Sequence, residues 1–186
     1  GGALGGVGKE TSSTISPTAV VTNGVATAKV KTDDIKDIIA EMKSSGGDAI
    51  VIAPKINGAF TQVAIDIPKD VLSMINRQTS AEMIIQTSIG HITIPNNMLS
   101  SLEEQTVGDA LLVAIEAVEA KTLTAAQQEV VGGKTVYDIF IKSGDTHITS
   151  FDGKDISISL PYTLKAGEKA TDVKVWYLNA NGELEE

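Results

Sequence analysis

The chain has 186 residues, enough for one large domain or two small ones, and its apolar fraction of 42% is typical of a packed core. Its net charge of −9 disfavours nucleic acids and anionic membranes as partners, because both would repel it, and no apolar run reaches the roughly 18 residues of a membrane-spanning helix. The absence of cysteine excludes disulfides, zinc–thiolate sites, iron–sulfur clusters and cysteine nucleophiles.

Residues 1–20 are rich in Gly, Ser and Thr and show no hydrophobic period. Such a stretch buries too little apolar surface to offset its ordering entropy, so it predicts a flexible linker. The pair Gly8-Lys9 does not complete a phosphate-binding loop, because Glu10 follows where that loop requires Ser or Thr. Since no signal peptide is present and the first residue is not Met, we interpret the chain as a segment of a longer protein.

The next part repeats one pattern, an alternating strand followed by a short amphipathic helix. The repeats are Val25–Val30 with a helix at about Asp33–Lys43, Val63–Ile67 with a helix at Pro68–Arg77, and His91–Ile94 with a helix at Asn96–Leu102. Thr32 is the expected N-cap of the first helix, and Pro68 and Pro95 are expected at the first helical position. Further strands are predicted at Ala49–Ile56 and Met83–Thr87.

Beyond residue 103 the pattern is mostly that of strands. They are predicted at Ala110–Glu119, Val136–Lys142, His147–Phe151, Ile156–Leu160 and Val173–Leu178, with a helical turn that Thr124 caps. Residues Asn179–Gly182 form a hairpin-turn signal, but the chain ends at Glu186 before a full returning strand.

These elements predict a β-rich α+β fold, with β-sandwich-like antiparallel sheets and two or three short helices. We divide the chain into a linker at 1–20, a strand–helix region at 21–102 and a β-sandwich-like region at 103–186. The alternative is a single intertwined domain that combines the last two regions.

Few residues in the sequence suggest chemistry. His91 and His147 lie in strand-like segments without metal-ligand spacing, and the acidic residues are scattered. We therefore assign no catalytic residue, no cofactor and no metal site, and we expect the protein not to be an enzyme. Trp176 and Tyr177 are the candidate ligand contacts. Neighbouring strand residues point to opposite faces, so one of the two rings is expected in the core and the other is expected to be exposed.

A covalent cross-link is a further hypothesis, because a lysine and an asparagine buried beside a carboxylate can form an amide bond in some bacterial surface modules. The candidates are Lys134, Lys142, Asn96 and Asn97, and an intact mass lower by one ammonia would support the bond.

Several phrases together resemble a module of Gram-positive, Firmicute-type cell-surface proteins that often precedes S-layer-homology repeats. The resemblance covers most of residues 21–186 and includes the Gly-rich lead-in. It rests on Val25–Val30, Val63–Pro68, Ile89–Pro95, Val136–Ile139, Ile156–Tyr162 and Val173–Leu178. The C-terminal part is also similar to a ZU5-type β-sandwich, which pairs an Ile-x-Ile-Pro strand end with a later Leu-Pro-Tyr strand, as at Ile92–Pro95 and Ile158–Tyr162.

Members of both groups usually continue into a strand with a His-Phe-Ser-like phrase, at which some ZU5 proteins cleave themselves. This sequence lacks that phrase, so the resemblance assigns no catalytic residue. It implies a non-enzymatic structural or interaction module that is extracellular, associated with the cell wall or S-layer, and spaces or displays neighbouring domains of the same polypeptide. One alternative is a carbohydrate-binding accessory module of a polysaccharide-degrading surface protein, with cell-wall glycan or polysaccharide as its partner. Another is an adhesin that binds a protein. Nucleic-acid binding and membrane insertion are not expected.

Overall fold

The structure, a computed structural model, describes residues 12–186. Its helices are α1 (Thr32–Ser45), α2 (Lys69–Gln78), α3 (Asn96–Gln105) and α4 (Ala125–Val131). Its strands are β1 (Ser12–Ile15), β2 (Val20–Thr22), β3 (Val25–Lys29), β4 (Ala49–Ile52), β5 (Gln62–Pro68), β6 (Glu82–Thr87), β7 (Gly90–Ile94), β8 (Ala110–Val118), β9 (Val136–Ser143), β10 (Thr146–His147), β11 (Ser157–Ser159), β12 (Tyr177–Leu178) and β13 (Leu184–Glu185). Within these residues, no helix combines the length and apolarity needed to cross a membrane.

The strands form two larger sheets and one small hairpin. The five-stranded sheet has the order β1-β4-β6-β7-β11, the six-stranded sheet the order β10-β9-β8-β5-β3-β2, and β12 pairs with β13. The predicted β-rich α+β class is therefore confirmed. Both larger sheets are mixed and not purely antiparallel as predicted, because β4 runs parallel to β1 and β6, and β3 runs parallel to β5.

The three strand–helix repeats explain this topology. Helices α1 and α2 each carry the chain from the six-stranded sheet to the five-stranded sheet, and α3 carries it back. Because the first two repeats run in the same direction, their strands become parallel neighbours in both sheets. The predicted helical stripe of α1 (Ile35, Ile38, Ile39 and Met42) is buried, and one core contains it together with inward residues of both sheets, as in a β-sandwich-like architecture.

The helix starts differ from prediction by one residue. Lys31 is the N-cap of α1, and Thr32 is its first helical residue. Pro68 and Pro95 are N-cap residues rather than first helical residues, because their ψ angles of 140° and 147° are not helical. Pro68 also still pairs with β8 at the end of β5. The predicted cap at Thr124 is confirmed, and its hydroxyl forms a capping box with Gln127.

The predicted linker divides into two parts. Residues 1–11 lie outside the described residues. Residues 12–20 are not a linker, because β1 pairs in parallel with β4 and the backbone N–H of Ala19 donates to the carbonyl oxygen of Lys55 at 2.9 Å. Ile15 and Ala19 are also buried in the core, so both backbone pairing and apolar packing hold this edge of the five-stranded sheet.

Near residue 103, where we predicted a division, α3 runs without a break from Asn96 to Gln105. Each larger sheet combines strands from both sides of this position. At the C-terminus the predicted strand Val173–Leu178 pairs only at β12, and the returning strand is the two-residue β13.

Candidate interaction surface

One open groove of about 840 Å³ lies where α1 and α2 begin. The polar side chains that line this groove form hydrogen bonds between different elements of the fold. The hydroxyl of Thr32 donates to the carboxylate of Asp70 at 3.1 Å, and the ammonium of Lys69 donates to the carbonyl oxygen of Thr106 at 3.0 Å. These contacts join α1 to α2 and α2 to the segment after α3, so we assign them to the stability of the fold.

The two histidines occupy different sheets. His91 lies on β7 of the five-stranded sheet and His147 lies on β10 of the six-stranded sheet, and both are exposed. The His147 ring contacts the ring of Phe140, with the two centroids 5.7 Å apart. Within residues 12–186, no group of three or more His, Asp or Glu side chains could hold a metal ion.

The strongest surface feature is residues 161–178, which we call the aromatic segment. It leaves the edge strand β11 and is exposed almost throughout. Trp176 is 44% exposed and Tyr177 is 66% exposed, so the prediction that one of these rings packs in the core is wrong. Only Tyr177 and the following Leu178 pair as a strand, and a segment without a second sheet face has no core against which to bury a ring.

Other apolar side chains lie in the same segment. Tyr162 is exposed, as are the three aliphatic residues Leu164, Val173 and Val175. Sequence reasoning did not identify Tyr162 as a candidate contact. The Leu-Pro-Tyr phrase at 160–162 was visible, but the exposure of its tyrosine depends on the absence of a neighbouring strand.

Local hydrogen bonds shape the start of the aromatic segment. The Glu168 carboxylate accepts from the backbone N–H of Lys165 and from the hydroxyl of Tyr162, both at 2.8 Å. These bonds lower the pKa of the Glu168 carboxyl, and the bond to Glu168 raises the pKa of the Tyr162 phenol. The turn at 162–168 is thus closed by a carboxylate, which keeps the Tyr162 ring at the surface.

At the other end, a charged side chain lies against the tryptophan. The ammonium of Lys174 is 5.6 Å from the centroid of the Trp176 ring and 2.7 Å from a carboxylate oxygen of Glu186. The cation–π contact and the ion pair orient the indole while one part of it stays accessible.

The hairpin that follows is anchored on α4. The side-chain amide of Gln127 donates to the carbonyl oxygen of Asn179 at 3.1 Å. The side-chain oxygen of Asn179 accepts from the backbone N–H groups of Asn181 and Glu183 at 3.0 and 2.9 Å. The predicted turn at Asn179–Gly182 is therefore confirmed, and it fixes the C-terminal boundary of the aromatic segment to the rest of the protein.

The candidates for an amide cross-link have other partners. The side-chain nitrogen of Asn96 donates to three backbone carbonyl oxygens between the end of α2 and the start of β6, those of Ile75 at 3.1 Å, Thr79 at 3.1 Å and Ala81 at 2.9 Å. Asn97 is exposed, and its backbone carbonyl oxygen accepts from the ammonium of Lys154 at 2.8 Å. The ammonium of Lys142 lies 5.0 Å from the Phe140 ring centroid, and Lys134 is exposed.

Comparisons with family models, with curated proteins and with solved structures find no match to this chain.

Proposed function

We propose that this chain is a non-enzymatic interaction module of a bacterial cell-surface protein, which spaces or displays neighbouring domains and makes its contacts through the aromatic segment. The location follows from the resemblance of the strand phrases to Firmicute surface modules. The contact surface is argued from the side chains themselves.

The observation that carries the proposal is the exposure of three aromatic rings, those of Tyr162, Trp176 and Tyr177, within one short stretch. Tyr and Trp supply large contact areas at low entropic cost and are enriched at binding interfaces. Six exposed large apolar side chains in one segment favour contact with a protein surface over a purely structural role.

The same rings support the carbohydrate-binding alternative, because an exposed aromatic face can stack on a sugar ring. The Glu168 carboxylate accepts a hydrogen bond from Tyr162, and the Glu186 carboxylate contacts Lys174 beside Trp176. Groups that could bind sugar hydroxyls therefore lie next to two of the rings. The adhesin alternative uses the same surface and differs only in that its protein partner belongs to another cell.

Co-sedimentation with cell walls tests the proposal. The probes are walls of a Gram-positive bacterium that retain their surface proteins, and the same walls after the proteins have been stripped. We expect the chain to sediment with the protein-bearing walls and not with the stripped walls. Binding to the stripped walls would instead favour the carbohydrate alternative, and binding to neither preparation would contradict the proposal.

A triple variant, Tyr162→Ser with Trp176→Ser and Tyr177→Ser, shows whether the aromatic segment is responsible. It should lose sedimentation, whereas Val107→Ser should not, because Val107 is 79% exposed and lies between α3 and β8. Since Trp176 is the single tryptophan of the chain, its fluorescence also reports directly on any contact at this surface.

A further inference from the structure

The outer face of the six-stranded sheet carries its charges in an ordered arrangement. Strand register places the outward-facing side chains in three parallel rows that cross the strands. The acidic row is Thr22, Val25, Gln62, Glu116 and Asp138. The central row is Val20, Thr27, Ala64, Ala114 and Phe140. The lysine row is Lys29, Asp66, Leu112, Lys142 and His147.

The acidic row holds two like charges directly opposite each other, Glu116 on β8 and Asp138 on β9. Burial raises the pKa of the Glu116 carboxyl, and the carboxylates of Asp138 and Glu119 raise it further. Within residues 12–186, no ion pair includes Glu116 or Asp138. The carboxylates at this end of the face therefore repel one another, and a cation from another molecule would reduce that repulsion.

The lysine row carries positive charge on β3 and β9, at Lys29 and Lys142. Asp66 lies directly opposite Lys29, so these two charges offset each other, whereas Lys142 lies between Leu112 and His147. Within the described residues, no ion pair includes Lys142, whose ammonium rests near the Phe140 ring. The uncompensated positive charge of this row therefore lies on β9, the strand that also carries Asp138.

The central row between them contains no charged residue. Ala64 and Ala114 are small and almost fully covered by their neighbours, at 4% and 1% exposed, Phe140 is half-buried, and Val20 at the edge of the sheet is 69% exposed. An uncharged centre between charged margins is the usual layout of a protein–protein interface.

We propose that this outer face binds the same face of a second copy of the chain, with a two-fold axis along the central row. Asp138 and Lys142 lie two residues to either side of Phe140, roughly 7 Å from it along β9. The two-fold rotation exchanges these positions, so Asp138 of each copy faces Lys142 of the other. Such an interface is self-complementary, as a two-fold dimer requires.

The pairing also accounts for the rest of the face. Glu116 comes close to Lys142 of the second copy, and the two sheets can approach face to face because Ala64 and Ala114 do not project beyond the side chains around them. The contact does not involve the aromatic segment, so this inference stands or falls separately from the proposed function.

Sedimentation velocity of the full chain from about 1 µM to about 200 µM tests the inference. We expect the mass to rise from monomer to dimer with concentration. Asp138→Lys and Lys142→Asp should each weaken the dimer by at least about tenfold, because each places like charges opposite each other. The double variant, which exchanges the two charges, should restore most of the affinity.

The matched control is Asp37→Lys, which reverses an exposed acidic residue on α1 and should leave dimerisation unchanged. Circular dichroism checks that each variant is folded. If a reversal fails to fold, the salt dependence of the unaltered chain decides, since dimerisation should weaken as NaCl is raised. A monomer at every concentration, or a double variant no tighter than the single ones, would overturn the inference.

Discussion

Gly182 in the last hairpin lies against the backbone of Ala126 in α4, so closely that a Cβ on Gly182 would be 2.9 Å from the carbonyl carbon of Ala126. Gly182 also has a φ of +81°, which disfavours any other residue. The hairpin is thus held by a contact that admits only glycine, together with the bond from Gln127 to Asn179.

Replacing this glycine should release the hairpin from α4. In Gly182→Ala, we expect the backbone amides of Asn179 and Glu183 to exchange with solvent at least about tenfold faster, because the backbone clash cannot be relieved by moving a flexible side chain. Hydrogen exchange followed by NMR measures this. Gly167→Ala is the matched control, since Gly167 has a φ of +87° and an added Cβ there meets nothing within 4 Å. Equal protection in the two variants would show that the hairpin does not depend on this contact.

The side-chain amide of Asn96 should be important for stability. Asn96→Ala removes the donor to three backbone carbonyl oxygens and leaves them without that partner in a half-buried position. We expect the free energy of unfolding to fall by about 2 kcal/mol. Urea denaturation measures it. Asn97→Ala, at an exposed neighbour on the same helix, should change the value by less than about 0.5 kcal/mol. Similar losses in both variants would contradict the role given to Asn96.

The like-charge pair on β8 and β9 predicts a pH dependence. The pKa of Glu116 in the folded protein is raised from its ordinary value of 4.5. Its contribution to stability is therefore present below the unfolded pKa and is lost as the pH rises through the folded pKa. At pH 7, Glu116→Gln should be more stable than the unaltered chain by about 0.5 kcal/mol. Below the unfolded pKa this advantage should disappear.

Thermal or urea unfolding at several pH values, at low protein concentration, checks the sign of this effect. Glu82→Gln is the control. Glu82 lies opposite the uncharged Ala49 in its sheet, so removing its charge should not increase the stability of the protein. If Glu116→Gln proves less stable than the unaltered chain at pH 7, Glu116 has a favourable partner instead.

Gly90 marks the point where β7 approaches both the other sheet and β11. A Cβ there would collide with the Cδ1 atom of Ile115 and lie 3.2 Å from the carbonyl oxygen of Ser159. Gly90→Ala should therefore destabilise the protein by about 2 kcal/mol. Ile115→Val alone should cost about 1 kcal/mol by leaving a small cavity. In the Gly90→Ala background, however, the same change should cost nothing or stabilise, because it removes the colliding atom.

A double-mutant cycle from urea denaturation measures this coupling, which we expect to be about 1–2 kcal/mol. Additive effects would mean that the backbone near Gly90 moves to accommodate the new methyl group.

Much of the fold could be predicted from the sequence. The three strand–helix repeats were correct because each helix has a buried apolar stripe and each strand alternates, and both patterns are local. Strands β1 and β2 were not predicted. Ser12-Ser13-Thr14-Ile15 has no apolar alternation, and β1 forms because its backbone pairs with β4, which follows about 35 residues later. Such pairing leaves no local signal.

The candidate surface was predicted less well. Alternation at Val173–Leu178 indicated a strand correctly only at its end, since a strand needs a partner along its whole length and β13 supplies two residues. Trp176 and Tyr177 were identified as contacts. Their exposure, and that of Tyr162, could not be predicted, because it depends on the absence of a neighbouring strand or sheet that would cover these rings. The three rows on the six-stranded sheet required the register of every strand, which no single segment determines.

The way α1, α2 and α3 carry the chain between the two sheets bears on its resistance to proteolysis. A single cut in the connection between β4 and β5, for example beside the exposed Asn57, leaves each product with strands of both sheets and neither sheet complete. The ladders between β3 and β5 and between β4 and β6 would still bind the two products to each other. A nicked copy should therefore remain joined, with both of its termini held in one particle.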